Sequence, residues 1–430
     1  MEERTDHMSR GWKQAISTVG LLMALMGLPL IPGYLCATLY LAVDADADAV
    51  GFGIAALVAL VLTAGAGGAA FWHGSRALRE KPSNPMRHPP IWALVGLFGL
   101  MVAIGLGVYQ SAVTAALLFP PVLLVAAALP PLWAVSWFTH RRAEGLTWRR
   151  GLVALAGGAT IGFLLALILE VLFPAIVLVL VLDLAGTALD SSEAVLSSLA
   201  GQNIASAITS PGFIYLLVQV AAIAPLAEEL AKPLVTLPLV RRLPRHEAFW
   251  VGAMAGAGFA ALENAIYAAL GLRFWAGILV VRALGGAIHP LGTGLTALSW
   301  RDILSGETNA WRQGVVRSAI AAGMHALWNG GSLLVITLAG AQFFGHLPEE
   351  IDVLGLSAAG TTLAVLVILG LAALWVGRAI GDRLQSTAEQ EGKPMEVSFT
   401  LSDRTMAIWA LACLAAIVPV GITGLRLLLR

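Results

Sequence analysis

The chain has 430 residues, of which 58% are hydrophobic and only 12% charged, with 26 basic and 26 acidic side chains in balance. Mean hydropathy is +0.83, and so few polar residues cannot clothe a soluble surface. The composition excludes a soluble globular enzyme, and no nucleic-acid partner is expected.

Apolar runs of about 20 residues or more recur along the chain, as an all-α polytopic membrane protein in the cell membrane requires. Eleven transmembrane helices are predicted, over 15–42, 49–72, 90–109, 112–138, 152–182, 213–240, 248–270, 275–299, 318–340, 353–377 and 405–427. The basic residues orient them. Of the 26 Lys and Arg, 21 lie in the N-terminal tail or in loops that follow even-numbered spans, from Arg4 to Arg404. The opposite loops carry Asp44, Asp46 and Asp48, then Asp183, Asp190 and Glu193, then Glu349, Glu350 and Asp352. The positive-inside rule therefore gives N-in, C-out.

In chain order, residues 1–14 form a cytoplasmic tail without a signal-peptide pattern, and the first span reads as a retained anchor. Residues 15–182 form an N-terminal accessory region of five spans, rich in Gly and Ala for close helix approach. Pro120-Pro121 and Pro130-Pro131 are expected to kink its fourth span. Glu170, in the fifth, reads as a lone carboxyl bonded to a neighbouring helix. An outer loop over 183–212 is expected to hold a short amphipathic helix near 191–208. Spans six to nine, residues 213–340, form the predicted core. Residues 341–430 add the last two spans and a polar cytoplasmic linker over 379–403. Cys36 and Cys413 fall within spans; no disulfide framework is expected, and two cysteines are too few for a Cys-based metal site.

Nearly every intramembrane charge falls in the core. Span six carries Glu228, Glu229 and Lys232, although one ionised side chain at a membrane-helix centre costs about 2.5–3.5 kcal/mol on insertion scales. Lys232 stands i+4 from Glu228 and i+3 from Glu229, so its ammonium reaches either carboxylate. Pro225 and Pro233 bracket the motif and free backbone carbonyls, which membranes tolerate where protein or water lines them. Span seven carries Glu263 and Asn264. Span eight carries Arg282, His289 and Thr293, with Arg282 and His289 seven apart on one face. Span nine carries His325 and Asn329 at i, i+4. Glu229, Glu263, His289 and His325 fall at matching depth, in a layer about 12 Å thick toward the cytoplasmic side. Four helices that place polar residues at one depth predict a site.

The set Glu228-Glu229-x-x-Lys232, Phe259-x-x-x-Glu263-Asn264, His289-x-x-x-Thr293 and His325-x-x-x-Asn329 resembles the PrsW family of bacterial intramembrane proteases. That family is similar to the CAAX-processing and bacteriocin-processing membrane endopeptidases, which are glutamate-type. The resemblance covers about residues 213–335. Lys232 stands one position earlier than the arginine of the CAAX-processing group, and Glu263 replaces its second-motif histidine. The resemblance implies a metal-independent hydrolase with no cofactor. Its implied substrate is a single-pass membrane protein, such as an anti-sigma factor, cleaved in or near the lipid bilayer.

Peptide hydrolysis needs a base for water, donors for the oxyanion and an acid for the leaving amine. Glu228 or Glu229 can be the base, and the resemblance implies Glu228. His325 and Asn329 can point donors at one carbonyl oxygen. His289 can orient water or donate a proton, and Glu263 can bind Arg282 or share a proton with the pair. Two alternatives use the same residues. Zinc held by two histidines and a carboxylate is one, although the His-Glu-x-x-His spacing is absent. A proton-coupled transporter is the other, for buried charges in kinked helices also build proton relays.

Overall fold

Runs of Leu, Ala, Val and Ile in hydrocarbon leave the backbone one local way to satisfy its N–H and C=O groups, the helix. The computed structural model describes residues 10–43, 49–139, 146–180, 211–241, 243–343, 349–390 and 403–428. The outer loop with its expected amphipathic helix near 191–208 lies outside them.

The helices are α1 (Arg10–Gly27), α2 (Leu30–Val43), α3 (Ala49–Leu60), α4 (Ala66–Leu78), α5 (Ile91–Val108), α6 (Ala112–Phe138), α7 (Trp148–Gly157) and α8 (Phe163–Leu180). They continue as α9 (Pro211–Val218), α10 (Ala224–Val240), α11 (Arg245–Leu270), α12 (Trp275–Leu284), α13 (Ile288–Leu304), α14 (Ala310–Phe343), α15 (Glu349–Gln390) and α16 (Asp403–Leu428). Among the described residues ten segments are long and apolar enough to cross a membrane, and the protein is a multi-pass membrane protein. The predicted ninth span lies on α14, which is not one of the ten. His325, Asn329 and Ser332 interrupt its apolar run, yet it packs into the bundle against α13 and α15.

Among the described residues three π-helical turns join helix pairs within single spans, at Val61–Gly65, Gly158–Gly162 and Gln219–Ile223. The third has a clear cause. Pro225 has no N–H for the carbonyl of Ala221, and the helix re-registers through a wider turn before α10 begins. α6, in contrast, runs unbroken through Pro120, Pro121, Pro130 and Pro131.

Three expectations need correction. The predicted first and eighth spans are not single helices: they break at Leu28-Pro29, between α1 and α2, and at Gly285-Gly286-Ala287, between α12 and α13. A Cβ at Gly285 would meet the Trp328 ring, and one at Gly286 would lie 2.9 Å from the Pro130 backbone. The linker over 379–403 is helical as far as Gln390, because α15 runs on past the predicted span.

The main core gathers residues from α6, α11, α13 and their neighbours, including Phe119, Phe138, Phe249, Trp250 and Trp328. α11 is its axis and packs against α13, α6 and α7. α1, α4 and α16 form a separate layer around Met23, Leu414 and Ile417. The region expected to be accessory therefore divides. α6 and α7 belong to the core that carries the polar residues, while α1 and α4 do not.

Candidate active site

The polar residues of four spans meet in one buried chamber. Glu228, Glu229 and Lys232 on α10, Glu263 and Asn264 on α11, His289 and Thr293 on α13, and His325 and Asn329 on α14 are all at most 6% exposed. Arg282, from α12, is nearly as deep. Every residue proposed for the site in the sequence lies at or beside this chamber.

Local sequence explains how each arrives there. Ala227, Ala231 and Val235 are fully buried on the same side of α10 as the charged residues, and Leu226, Leu230 and Leu234 lie on its exposed face. α10 thus presents charge inward and leucine outward, an inversion of a soluble amphipathic helix that suits lipid. Gly252 and Gly256, four apart on α11, let α13 approach closely. A Cβ at Gly256 would meet the His289 carbonyl and Thr293 Oγ1, and one at Gly252 would lie 2.9 Å from Gly294. Small residues one turn apart allow such close approach between membrane helices.

Lys232 is the hub. Its Nζ lies 2.8 Å from Glu228 Oε2 and 2.9 Å from Glu229 Oε1, and 2.7 Å from His289 Nδ1. It also sits 4.3 Å from the Phe259 ring centre, a cation–π contact. An ammonium has only donors, so His289 Nδ1 must accept, and the ring proton then sits on Nε2. His289 Nε2 accordingly donates to Glu263 Oε2 at 3.0 Å. The same oxygen takes Arg282 Nη2 at 2.6 Å, and Arg282 Nε donates to Asn264 Oδ1. Asn264 Nδ2 in turn donates to the Ala127 carbonyl of α6 at 3.0 Å. Arg282 and His289, expected on one helix face, do meet, at 3.5 Å, although a short turn at Gly285-Gly286-Ala287 lies between them.

The second histidine is held differently. His325 Nδ1 lies 3.1 Å from Glu229 Oε1, and a carboxylate can only accept, so the proton is on Nδ1. His325 Nε2 is then a bare lone pair, buried without a partner and 3.7 Å from Glu228 Oε2. Glu229 Oε2 and Glu263 Oε1 are likewise buried without a hydrogen bond, and so are the donor Asn329 Nδ2 and Thr293 Oγ1, while Glu228 Oε2 has its Lys232 pair alone. Buried polar atoms are nearly always bonded, so these exceptions need a reason. Three of them are acceptors with no proton among them. That set suits a water molecule or a cation.

Counting charge gives the same result. Three carboxylates face one lysine and one arginine with both histidines neutral, which leaves a single negative charge.

Glu228, Glu263, His289 and His325 each offer one ligand atom, and these atoms all lie within 4.8 Å of one another. Two carboxylates and two imidazoles are a donor set that zinc accepts. His325 Nε2 fits a metal as it stands, and Glu228 and Glu263 each offer a carboxylate oxygen. His289 fits only after its Nε2 loses its proton and Lys232 no longer donates to Nδ1.

Sequence reasoning missed several buried polar residues. Arg150 on α7 pairs with Glu247 at the start of α11 at 2.7 Å, both buried and well away from the chamber. Gly292 stands beside Glu229, where a Cβ would lie 3.1 Å from Oε2. Gln219, Ser332 and Tyr267 also went unread; Arg282 lies over the Tyr267 ring at 4.7 Å. Helical spacing from a known motif residue would have found Ser332, seven after His325, but nothing local marks the others.

Residues 146–348 match the family model described as PrsW family intramembrane metalloprotease. The match takes in α7 and α8, well before the residues that carried the resemblance. No curated protein and no solved structure matches the chain. The PrsW resemblance read from four short motifs thus recurs as a match over a continuous stretch that holds the whole chamber. The description names a metalloprotease, which the metal-independent expectation does not match.

Proposed function

With a PrsW-type membrane peptidase as the premise, we propose that this chain is an intramembrane endopeptidase in which Glu228 activates water against a peptide bond of a single-pass membrane protein. One observation carries the reading. Glu228 Oε2, paired with Lys232 at 2.8 Å, faces the buried, unbonded acceptor His325 Nε2 at 3.7 Å, with the unbonded donor Asn329 Nδ2 one turn beyond on the same helix.

The roles follow from which atoms are already engaged. Glu228 Oε2 pairs with Lys232 alone, whereas Glu229 Oε1 is occupied by both Lys232 and His325 Nδ1. Glu229 therefore orients the histidine, as a carboxylate does in a catalytic triad. Glu228 and His325 Nε2 share a water. As its oxygen attacks the carbonyl carbon, one proton passes to Glu228 and the carbonyl electron pair moves onto oxygen. Asn329 Nδ2–H donates to that oxyanion. Collapse breaks the C–N bond, and the proton held by Glu228 goes to the leaving nitrogen. Glu263 is neutralised by Arg282 and fixes the ring of His289, so both are positioning residues in this reading. The exposed leucines of α10 place lipid one helix away from the chamber, which favours entry of the substrate beside α10 and α14.

A second reading keeps the same chamber and adds a divalent metal, supported by the unbonded donor set and the family description. Glu228, Glu263 and His325, joined by His289, would hold it. When bound, such an ion polarises a carbonyl and acidifies water. Glu229 would still orient His325, and Lys232 would still offset the carboxylates.

The purified protein should be tested on a panel of single-span polypeptides, with metal content measured alongside. Loss of a general base costs about 10²–10⁴-fold in rate, and Glu228→Gln should fall in that range. Wild-type cleavage by both Glu228→Gln and Glu229→Gln would end the reading. Inactivation by a chelator, reversed by zinc, would select the metal form. Proton flux in liposomes without cleavage would select a transporter.

A further inference from the structure

Not all the unbonded polar atoms lie in the chamber. Gln219 Oε1 and Ser332 Oγ are also buried without a hydrogen-bond partner in the protein, and neither belongs to the motifs above. On α14, Asn329 and Ser332 follow His325 by four and seven residues. They share its face and rise about 6 and 10 Å above it, toward the outer membrane surface as the basic loops orient the chain.

Gln219 opens the π-helical turn Gln219–Ile223, which packs against α14. The register of the two segments is fixed by one close approach. A Cβ at Gly330 would lie 2.9 Å from Ala221 Cβ. The two segments run in opposite directions, so two residues further along each brings Gln219 level with Ser332. Gln219 Nε2 donates to the Glu170 carbonyl of α8 at 3.4 Å, which pins the amide and leaves its oxygen as the free end. The order outward from the chamber is therefore a donor, Asn329 Nδ2, then a hydroxyl and a carboxamide oxygen at one level.

This inference rests on the peptidase reading. A substrate helix cannot be cut while its amides are bonded within the helix, and unwinding in the membrane frees N–H and C=O groups that hydrocarbon cannot satisfy. An extended chain presents such groups in alternation, with about 3.3 Å per residue. We propose that Gln219 and Ser332 bind the backbone of the unwound substrate segment on the outer side of the scissile bond, with Gln219 Oε1 accepting a substrate N–H. They are substrate-positioning residues, and they make a membrane segment that leaves the helix easily, on its outer side, the preferred substrate class.

The test uses the full-length reconstituted protein and a synthetic single-span peptide that the wild type cuts. Derivatives carry a backbone N-methyl group at each position outward of the cleavage site. One lost hydrogen bond corresponds to roughly tenfold. Gln219→Leu and Ser332→Ala should each lower kcat/KM by roughly that factor, mainly through KM, with unchanged thermal unfolding. One N-methyl derivative should be cut about tenfold less well by the wild type, yet Gln219→Leu should cut it and the parent peptide equally. Ser332→Ala removes a single oxygen and keeps the test open if Gln219→Leu does not fold. Wild-type kcat/KM in both variants, or losses that simply multiply, would overturn the proposal and leave ordered water as the partner of these atoms. Glu228→Gln on the parent peptide separates the two levels. If it cuts at the wild-type rate the assignment of Glu228 as the base fails, and if it is inactive while Gln219→Leu and Ser332→Ala are normal only the substrate-positioning proposal fails.

Discussion

Lys232 decides whether α10 can exist in a membrane at all. It is 1% exposed and stands within 2.9 Å of one oxygen on each of two buried carboxylates. Removing one member of a buried ion pair typically costs about 3–5 kcal/mol, because the other charge is stranded. Lys232→Met should therefore destabilise the protein by several kcal/mol in thermal or denaturant unfolding. Adding Glu229→Gln to Lys232→Met should recover part of that loss, since one of the stranded charges is gone. Additive losses in this double-mutant cycle would show that the lysine is not holding Glu229.

The sequence already placed Lys232 beside both glutamates, because i,i+3 and i,i+4 contacts are set by helix geometry alone. It did not place His289 Nδ1 against the same ammonium, nor Arg282 against Glu263. Those contacts cross between helices, and local spacing carries no information about them. The proton positions on the two histidines follow only from these crossings.

Between elements, the spacing of α11 and α13 sets the depth of His289. Gly252 and Gly256 are what let them meet. A side chain at Gly256 would drive into the His289 backbone and Thr293 Oγ1, and packed interiors absorb such insertions at about 1–3 kcal/mol or more. Gly256→Leu should therefore abolish cleavage and lower thermal stability. Gly68→Leu, where a Cβ meets nothing within 4 Å, is the matched control and should leave both unchanged. Equal effects of the two substitutions would refute the role assigned to the α11–α13 approach.

The break between α12 and α13 belongs to this scale as well. Gly285 and Gly286 were visible in the sequence but were read as part of one continuous span, since hydropathy does not fall there. At the break the Trp328 ring and the Pro130 backbone occupy the space a side chain would need, so glycine is required there. Both come from distant parts of the chain. The π turn before α10 was closer to legible: Pro225 announces a lost hydrogen bond, though not which way the helix re-registers.

For the whole molecule, the charge asymmetry of the loops sets the side of the membrane on which each end lies. With Cys36 and Cys413 replaced, a single cysteine at Asn84 or Glu307 should react with a membrane-impermeant thiol reagent only from the cytoplasmic face. A cysteine at Gln110 should react only from the outer face. Labelling of all three from one side would invert or abolish the N-in orientation. The chamber, by the same reckoning, lies nearer the cytoplasm, with Gln219 and Ser332 outward of it.

Hydropathy and helical spacing by themselves determined that this is a multi-span helical protein, which way it is expected to face, and which polar residues share a depth. These are properties of one helix at a time, fixed by the cost of bare polar groups in lipid and by 3.6 residues per turn. Only the tertiary structure decided which carboxylate oxygens are occupied, which histidine nitrogen is bare, and where a span breaks. It also brought α6 and α7 into the core and aligned Gln219 with Ser332. Each of these depends on helices far apart in the chain meeting at a definite register, and that register is set by glycines and prolines whose partners no local pattern names.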